Sequence, residues 1–372
     1  MNDKSRAPDD RIGDIPLLAF EDQARKTVVG TNARRHEPKG RELIPVSHGG
    51  LTKAVTSLLL FVALAGLPLI ARSATLRHGW QDVDGVNLFY REGGDRDAPT
   101  IVFLHGNPLS SIMYEKVMEE LVAAHPLHVI AVDYPSFGYS DAPERTKYQY
   151  TFDHLADTVG KFLKANRITR YGLYMQDYGV PVGFRLINAN PAAISAIIVQ
   201  NGVIHLDGFP AAQDANGELR RHWAQRNPAI DERRAKYVRT MTYPQAAGWI
   251  DDSHIGPDAA LQMTTAAQRS GVIEARNDLW FNYGTNLERY PTWQAMLRKM
   301  KVPVLVLWGS QDTFFTTPGA FAYLRDAPQA EIHILDTDHF ATLMKPEQVA
   351  RLVADFLATH RDSLLPVEAK QR

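Results

Sequence analysis

Residues 171–190 read YGLYMQDYGVPVGFRLINAN, and this stretch decides the fold. Positions 171–175 form a short apolar run suited to a strand buried on both faces. Positions 180–190 are compatible with a helix, and Gln176-Asp177-Tyr178-Gly179 between them leaves room only for a sharp turn. A strand, turn and helix in that order lift the central side chain to the carboxyl edge of a sheet, with the following backbone N–H groups beside it. Asp177 holds that position. Glycine often stands two residues before a side chain presented in this way. Here Met175 stands there, while the downstream Gly179 is retained.

Working outward, the strand signature recurs. Positions 86–90 alternate, and 100–104 (TIVFL), 128–132, 194–199, 302–308 and 332–335 are short apolar runs. Helical patterns such as 152–163 and 349–357 lie between them. This alternation predicts an α/β fold with a mostly parallel sheet flanked by helices, whose ligands sit at the carboxyl ends of the strands. The core is expected over 80–203 and 301–360. The interval 204–300 is rich in Arg, Trp, Tyr and Gln, has weak strand signals and is too long for a loop in a compact domain. It reads as an inserted helical cap, and 361–372 reads as a polar tail.

Two further strand ends carry titratable groups. VPVLVLWGSQD at 302–312 ends in Asp312, and AEIHILDTDH at 330–339 ends in His339. Nucleophile, acid and histidine in that order at three strand ends is the order found in α/β-hydrolases. Asp177, Asp312 and His339 are therefore the candidate catalytic residues. Taken singly, an aspartate after a strand is usually a turn residue or a helix cap. The three together set the expectation. His105-Gly106-Asn107-Pro108 follows the TIVFL strand, where such a fold places a second oxyanion donor, so the N–H groups of Asn107 and Tyr178 are expected to flank Asp177. His105 is read as structural, because His339 fills the role of base.

HGNPLSS at 105–111, DYPSFGYSD at 133–141, QDYG at 176–179 and WGSQD at 308–312 resemble the haloalkane dehalogenase and epoxide hydrolase branch of the α/β-hydrolases. The resemblance spans roughly residues 80–360, apart from much of the cap. HGNP is closest to the dehalogenases, in which the asparagine side chain, here Asn107, holds the departing halide. Both families usually carry tryptophan directly after the nucleophile, and the dehalogenases use it as a second halide donor. Tyr178 stands there instead, so the resemblance implies a halide or substrate role for Asn107 and Tyr178 with altered reach. Epoxide hydrolases use cap tyrosines to protonate the opening ring. The resemblance suggests Tyr283 for that role, with Tyr237, Tyr243 or Tyr290 as its companion, whereas the plain reading has them packing a pocket. Fluoroacetate-type dehalogenases set arginines beside the nucleophile, and the Tyr178-Gly179-Val180-Pro181 run lacks them.

The residue type at 177 selects the chemistry. Serine attacking saturated carbon gives an ether that water cannot readily cleave, whereas a carboxylate gives an ester that it can. Hydrolysis of a carbon–halogen bond in a small apolar substrate is the leading expectation, with epoxide opening to a diol as the alternative. A non-catalytic ligand-binding protein of the same fold is the remote third. No cofactor or metal is required.

Composition narrows the partners. Forty-one basic residues against forty-two acidic ones, a net charge of −1 and no basic block give no electrostatic reason to expect nucleic acid. The absence of cysteine removes disulfides, thiolate catalysis and cysteine-ligated zinc. Residues 1–53 are polar and read as a disordered leader. Residues 54–71 (AVTSLLLFVALAGLPLIA) carry no charge and end near the small residues Ala71, Ser73 and Ala74, bounding a segment at 54–74. That segment is expected to be a signal peptide or a transmembrane anchor, making the protein exported or membrane-anchored.

Overall fold

The computed structural model describes residues 75–211, 217–240 and 256–364. Eight strands form one sheet: β1 (Arg77–Val83), β2 (Val86–Gly94), β3 (Thr100–Leu104), β4 (His128–Val132), β5 (Tyr171–Gln176), β6 (Ile194–Gln200), β7 (Val304–Gly309) and β8 (Glu331–Leu335). Their order across the sheet is β1-β2-β4-β3-β5-β6-β7-β8. The β1–β2 and β2–β4 pairs are antiparallel, and every later pair is parallel. This is the expected α/β architecture, and the short apolar runs are its central strands. β1 was not anticipated, because RHGWQDV is an edge strand that buries only Val83 and therefore has no apolar run.

The period-two alternation of a strand divides the core between the two faces of the sheet. Val102, Leu104, Leu173 and Met175 pack on one face, while Ile101, Phe103 and Tyr174 pack on the other. Helices α1 (Glu115–Ala124), α2 (Phe152–Ala165) and α3 (Gly179–Ala189) cover the two faces. α2 begins where the Thr151 hydroxyl accepts the His154 N–H, and it buries Leu155, Val159 and Phe162 on the same face as Phe184 and Ile187 of α3. α1 buries Val117, Met118 and Leu121 on the opposite face, together with Val349, Val353 and Phe356 from the helix Pro346–Thr359. Complete burial of each such side chain contributes about 1.5–3 kcal/mol.

An inserted helical region interrupts the chain between β6 and β7. It contains α4 (Glu218–Ala224), α5 (Pro228–Thr240), α6 (Pro257–Ala267), α7 (Val272–Asn282) and α8 (Gly284–Lys299). The long irregular interval is helical because its apolar residues must cover the strand ends rather than pair within the sheet.

The expectation of a transmembrane, membrane-anchored protein is corrected: among the described residues no helix is long and apolar enough to cross a membrane. The 54–71 segment on which that expectation rested lies outside the described residues, as do the leader at 1–53 and Tyr243.

Candidate active site

Asp177 lies between the end of β5 and the start of α3, with φ +49°. This left-handed conformation is costly for most residues and better tolerated by aspartate, and it lifts the side chain off the strand axis. The carboxylate is buried, and its Oδ1 accepts the Asn107 backbone N–H at 2.7 Å. The Tyr178 backbone N–H also bonds to it. The other oxygen, Oδ2, lies 3.9 Å from His339 Nε2. Burial pushes the carboxyl above its ordinary value, while His339 and the two N–H groups act against that rise.

The close approach depends on Gly106. A Cβ there would fall 2.2 Å from Gln176 Oε1 and 2.4 Å from Asp177 Cβ, so only glycine lets the loop after β3 bring the Asn107 N–H to the carboxylate. His105 is fully buried, with Nδ1 bonded to the Gly106 carbonyl and Nε2 accepting the Tyr134 N–H at 3.1 Å. Both ring nitrogens are committed to backbone. Burial lowers its pKa to about 4, so the ring is neutral and fixes the loop.

His339 Nδ1 donates to Asp312 Oδ2 at 2.7 Å, leaving Nε2 facing Asp177. Every oxygen of Asp312 is engaged: Oδ1 accepts the N–H groups of Phe314 and Phe315 at 2.7 and 3.1 Å, and Oδ2 also accepts Asn201 Nδ2 at 2.7 Å. Burial disfavours the imidazolium, but the adjacent, bonded Asp312 outweighs it and holds the His339 ring above the ordinary imidazole value. The three residues picked out by strand ends 135 and 27 positions apart in sequence thus meet in one buried cluster.

Several supporting side chains carry no strong signal in the sequence. Asn201, with φ +41° just past β6, accepts the Gly309 N–H while donating to Asp312, and so ties β6 to the β7 turn. Gln176 and Gln200, at the ends of β5 and β6, both donate to the His339 carbonyl, at 3.3 and 3.2 Å. A polar residue at the carboxyl end of an otherwise apolar strand is the signal that would have found them.

The inserted region contributes aromatic groups. Tyr178 is buried, packs edge-on to Phe152 and lies 5.9 Å from the Tyr283 ring; its hydroxyl has no partner. Tyr283 and Tyr290 are brought together, hydroxyl to hydroxyl at 3.4 Å, whereas Tyr237 is half-buried on α5. Trp223 stacks on Tyr283 with ring centroids 5.4 Å apart. Among the described residues no group of three or more His, Asp or Glu is placed to hold a metal.

The sequence relatives agree with this geometry at the level of the fold. An uncharacterized hydrolase of Saccharomyces cerevisiae is 36% identical over 274 residues, covering 71% of this chain and 91% of the relative. A haloalkane dehalogenase of Mycobacterium marinum is 31% identical over 144 residues, which span 39% of this chain and 47% of that protein. Among solved structures, Cfl2 from Burkholderia cenocepacia superposes with a TM-score of 0.61 at 23% identity, over 77% of this chain and 97% of that one. The family model described as the alpha/beta hydrolase fold matches residues 99–346. With an elbow carboxylate, a second carboxylate and an imidazole after β5, β7 and β8 and a helical region inserted between β6 and β7, this chain belongs to the α/β-hydrolase fold family.

Proposed function

We propose that the protein hydrolyses a carbon–halogen bond in a small organic substrate through a covalent ester on Asp177. The observation that carries this reading is the asymmetric environment of the Asp177 carboxylate. Oδ1 is held by the Asn107 N–H at 2.7 Å, while Oδ2 faces the side where His339 Nε2 waits at 3.9 Å. In the first step Oδ2 attacks the saturated carbon in line, and the carbon–halogen electron pair leaves with the halide. The Asn107 side chain and the unpartnered Tyr178 hydroxyl are the proposed halide donors. In the second step His339 takes a proton from water, which adds to the ester carbonyl carbon of Asp177. The oxyanion forms on the oxygen already held by backbone N–H, a contribution of about 3 kcal/mol per donor. Collapse expels the alcohol, which receives its proton from His339, and the Asp177 carboxylic acid left behind releases the second proton of the water to solvent, regenerating the carboxylate. Asp312 keeps His339 in the tautomer whose Nε2 is free to accept. The helices within 204–300 act as the cap that closes the site to bulk water.

A second reading is favoured by Tyr283 and Tyr290. Their paired hydroxyls in the inserted region are suited to protonating an epoxide oxygen while Asp177 opens the ring, giving a diol after the same second step. Burial raises both phenol pKa values, so each keeps its proton until the ring opens.

The test uses His339→Gln, which leaves the first step intact and stalls the second. Intact-protein mass spectrometry after exposure to a short haloalkane is expected to show an alkyl adduct on Asp177, with one halide released per chain. An adduct from styrene oxide without any from haloalkanes transfers the assignment to the epoxide reading. No adduct from either class overturns the aspartyl-ester mechanism.

A further inference from the structure

Several buried donors of the inserted region and the elbow have no partner. Arg276 of α7 is buried, its Nη2 donates to the Ser136 carbonyl at 3.2 Å, its guanidinium lies 4.5 Å over the Phe137 ring, and its Nε has no partner. One turn further along the same helix, Trp280 Nε1 is also buried without a partner. Arg234 of α5 stacks its guanidinium on Trp280 at 4.2 Å and donates from Nε to Asn277 Oδ1 at 3.2 Å. Among the described residues neither guanidinium has a carboxylate in an ion pair. The Tyr178 hydroxyl, buried beside Asp177, is a further donor without a partner.

These groups are linked to the reacting carboxylate by direct packing. Phe137, beneath Arg276, lies 5.3 Å from the His105 ring, whose loop presents the Asn107 N–H to Asp177. Trp280 packs on Trp223, which stacks on Tyr283, the neighbour of Tyr178. Both guanidinium groups act electrostatically on the Tyr178 phenol. Burial, with Arg269 and Arg234 close by, pushes Arg276 down to about 9, so it remains a cation at neutral pH.

Arg276, a buried cation with an unpartnered Nε and, among the described residues, no carboxylate in an ion pair, lies on the same helix as the unpartnered Trp280 Nε1, and an acceptor-rich, negatively charged group would compensate both. A guanidinium edge matches a carboxylate in plane and in spacing. We infer that Arg276 and Arg234, with Trp280 Nε1, bind a carboxylate carried by the substrate, making the preferred class a small halogenated carboxylic acid rather than an apolar haloalkane. This rests on the aspartyl-ester reading for its chemistry but not for its binding. The carboxylate sits against the cap, the halogen-bearing carbon faces Asp177 Oδ2, and water replaces halide to give a hydroxy acid, a halide ion and a proton. The cationic groups come from the inserted helices, not from the residues that follow Asp177.

Two measurements separate the claims. Ligand-observed NMR with unreactive propanoate and propanamide tests recognition alone: propanoate is expected to bind the wild-type protein and propanamide to bind at least about tenfold more weakly. Arg276→Met is expected to weaken propanoate binding by about 10- to 100-fold, the range for losing a charge-assisted hydrogen bond, and to leave propanamide within about threefold. Arg234→Met, at a half-buried and more tolerant position, is expected to show the same selectivity on a smaller scale. Equal binding of acid and amide by the wild type overturns the inference, as does a parallel loss of both in the variants. In the second measurement, kcat/KM for 2-chloropropanoate is compared with that for 2-chloropropanamide by halide release. Arg276-dependent propanoate binding without halide release from any substrate leaves the recognition site standing and removes the dehalogenase reading. Halide release with no preference for the acid does the reverse.

Discussion

Replacing Asp312 by asparagine keeps the shape of the site and changes one property, the ability to accept on both oxygens. In the native arrangement Oδ1 accepts two backbone N–H groups, and Oδ2 accepts both His339 Nδ1 and Asn201 Nδ2, each at 2.7 Å. An asparagine amide has one acceptor oxygen and one NH2 group. If the oxygen stays on the two backbone donors, the NH2 meets His339 Nδ1, which must then accept, and the ring proton moves to Nε2. His339 can no longer take a proton from water. The wrong tautomer is expected to slow the hydrolytic step by about 10³- to 10⁴-fold, or roughly 4–5.5 kcal/mol. In the proposed mechanism, attack by Asp177 Oδ2 on carbon needs no base and is expected to slow by less than about tenfold, the effect of losing one nearby negative charge. The two steps therefore separate. Rapid-quench mixing with substrate should show a halide burst approaching one per chain, followed by very slow turnover, and mass spectrometry should detect the ester at steady state. Equal slowing of both steps with no burst, or turnover within tenfold of wild type, would refute the reasoning.

Two further substitutions test other parts of the site. Gly106→Ala drives a methyl group to within 2.4 Å of Asp177 Cβ, so the Asn107 loop must shift; halide release is expected to fall by about 100-fold, with a loss of about 1–3 kcal/mol in urea unfolding. Unchanged turnover would separate that loop from the reaction. Asp338 is buried beside His339, and burial raises its carboxyl to about 7, so the folded state holds a proton that the unfolded chain releases near pH 4. Stability is therefore lost as pH rises from about 4 through about 7. Asp338→Asn, which can still accept the Phe340 N–H, is expected to be more stable than wild type at pH 8 by on the order of 3 kcal/mol and equal to it near pH 4. A variant less stable at pH 8 in denaturant titrations contradicts the assignment.

The sheet was legible because its central strands are buried on both faces and must be apolar throughout. TIVFL at 100–104 and the run at 128–132 coincide with β3 and β4 to the residue. The edge strand β1 escaped because solvent takes over the role of core for most of its side chains. Met175 departs from the usual elbow pattern, and the structure supplies the reason. A Cβ on Gly183 would fall 2.1 Å from Met175 Sδ, so the space that glycine provides has moved from the strand to the first turns of the helix, and methionine fills it. Asp177, Asp312 and His339 could be read because strand ends fix where a side chain points. Arg234 and Arg276 could not, because the helices of an inserted region carry charge on any face and only their packing tells which face is buried. VIEARNDLWFN gives a weak amphipathic pattern, yet it buries both Arg276 and Asn277.

The carbonyl of His339 is moored by Gln176 on β5 and Gln200 on β6, and Gln176 is the residue that precedes Asp177. The imidazole and the elbow carboxylate are thus both tied to the ends of neighbouring sheet strands, with no span of the inserted helices in that linkage. Substitutions confined to the inserted helices are therefore expected to leave the gap between imidazole and carboxylate unaltered. Under the proposed mechanism, exchanging the inserted helices between relatives should transplant selectivity while leaving the rate of ester hydrolysis nearly fixed.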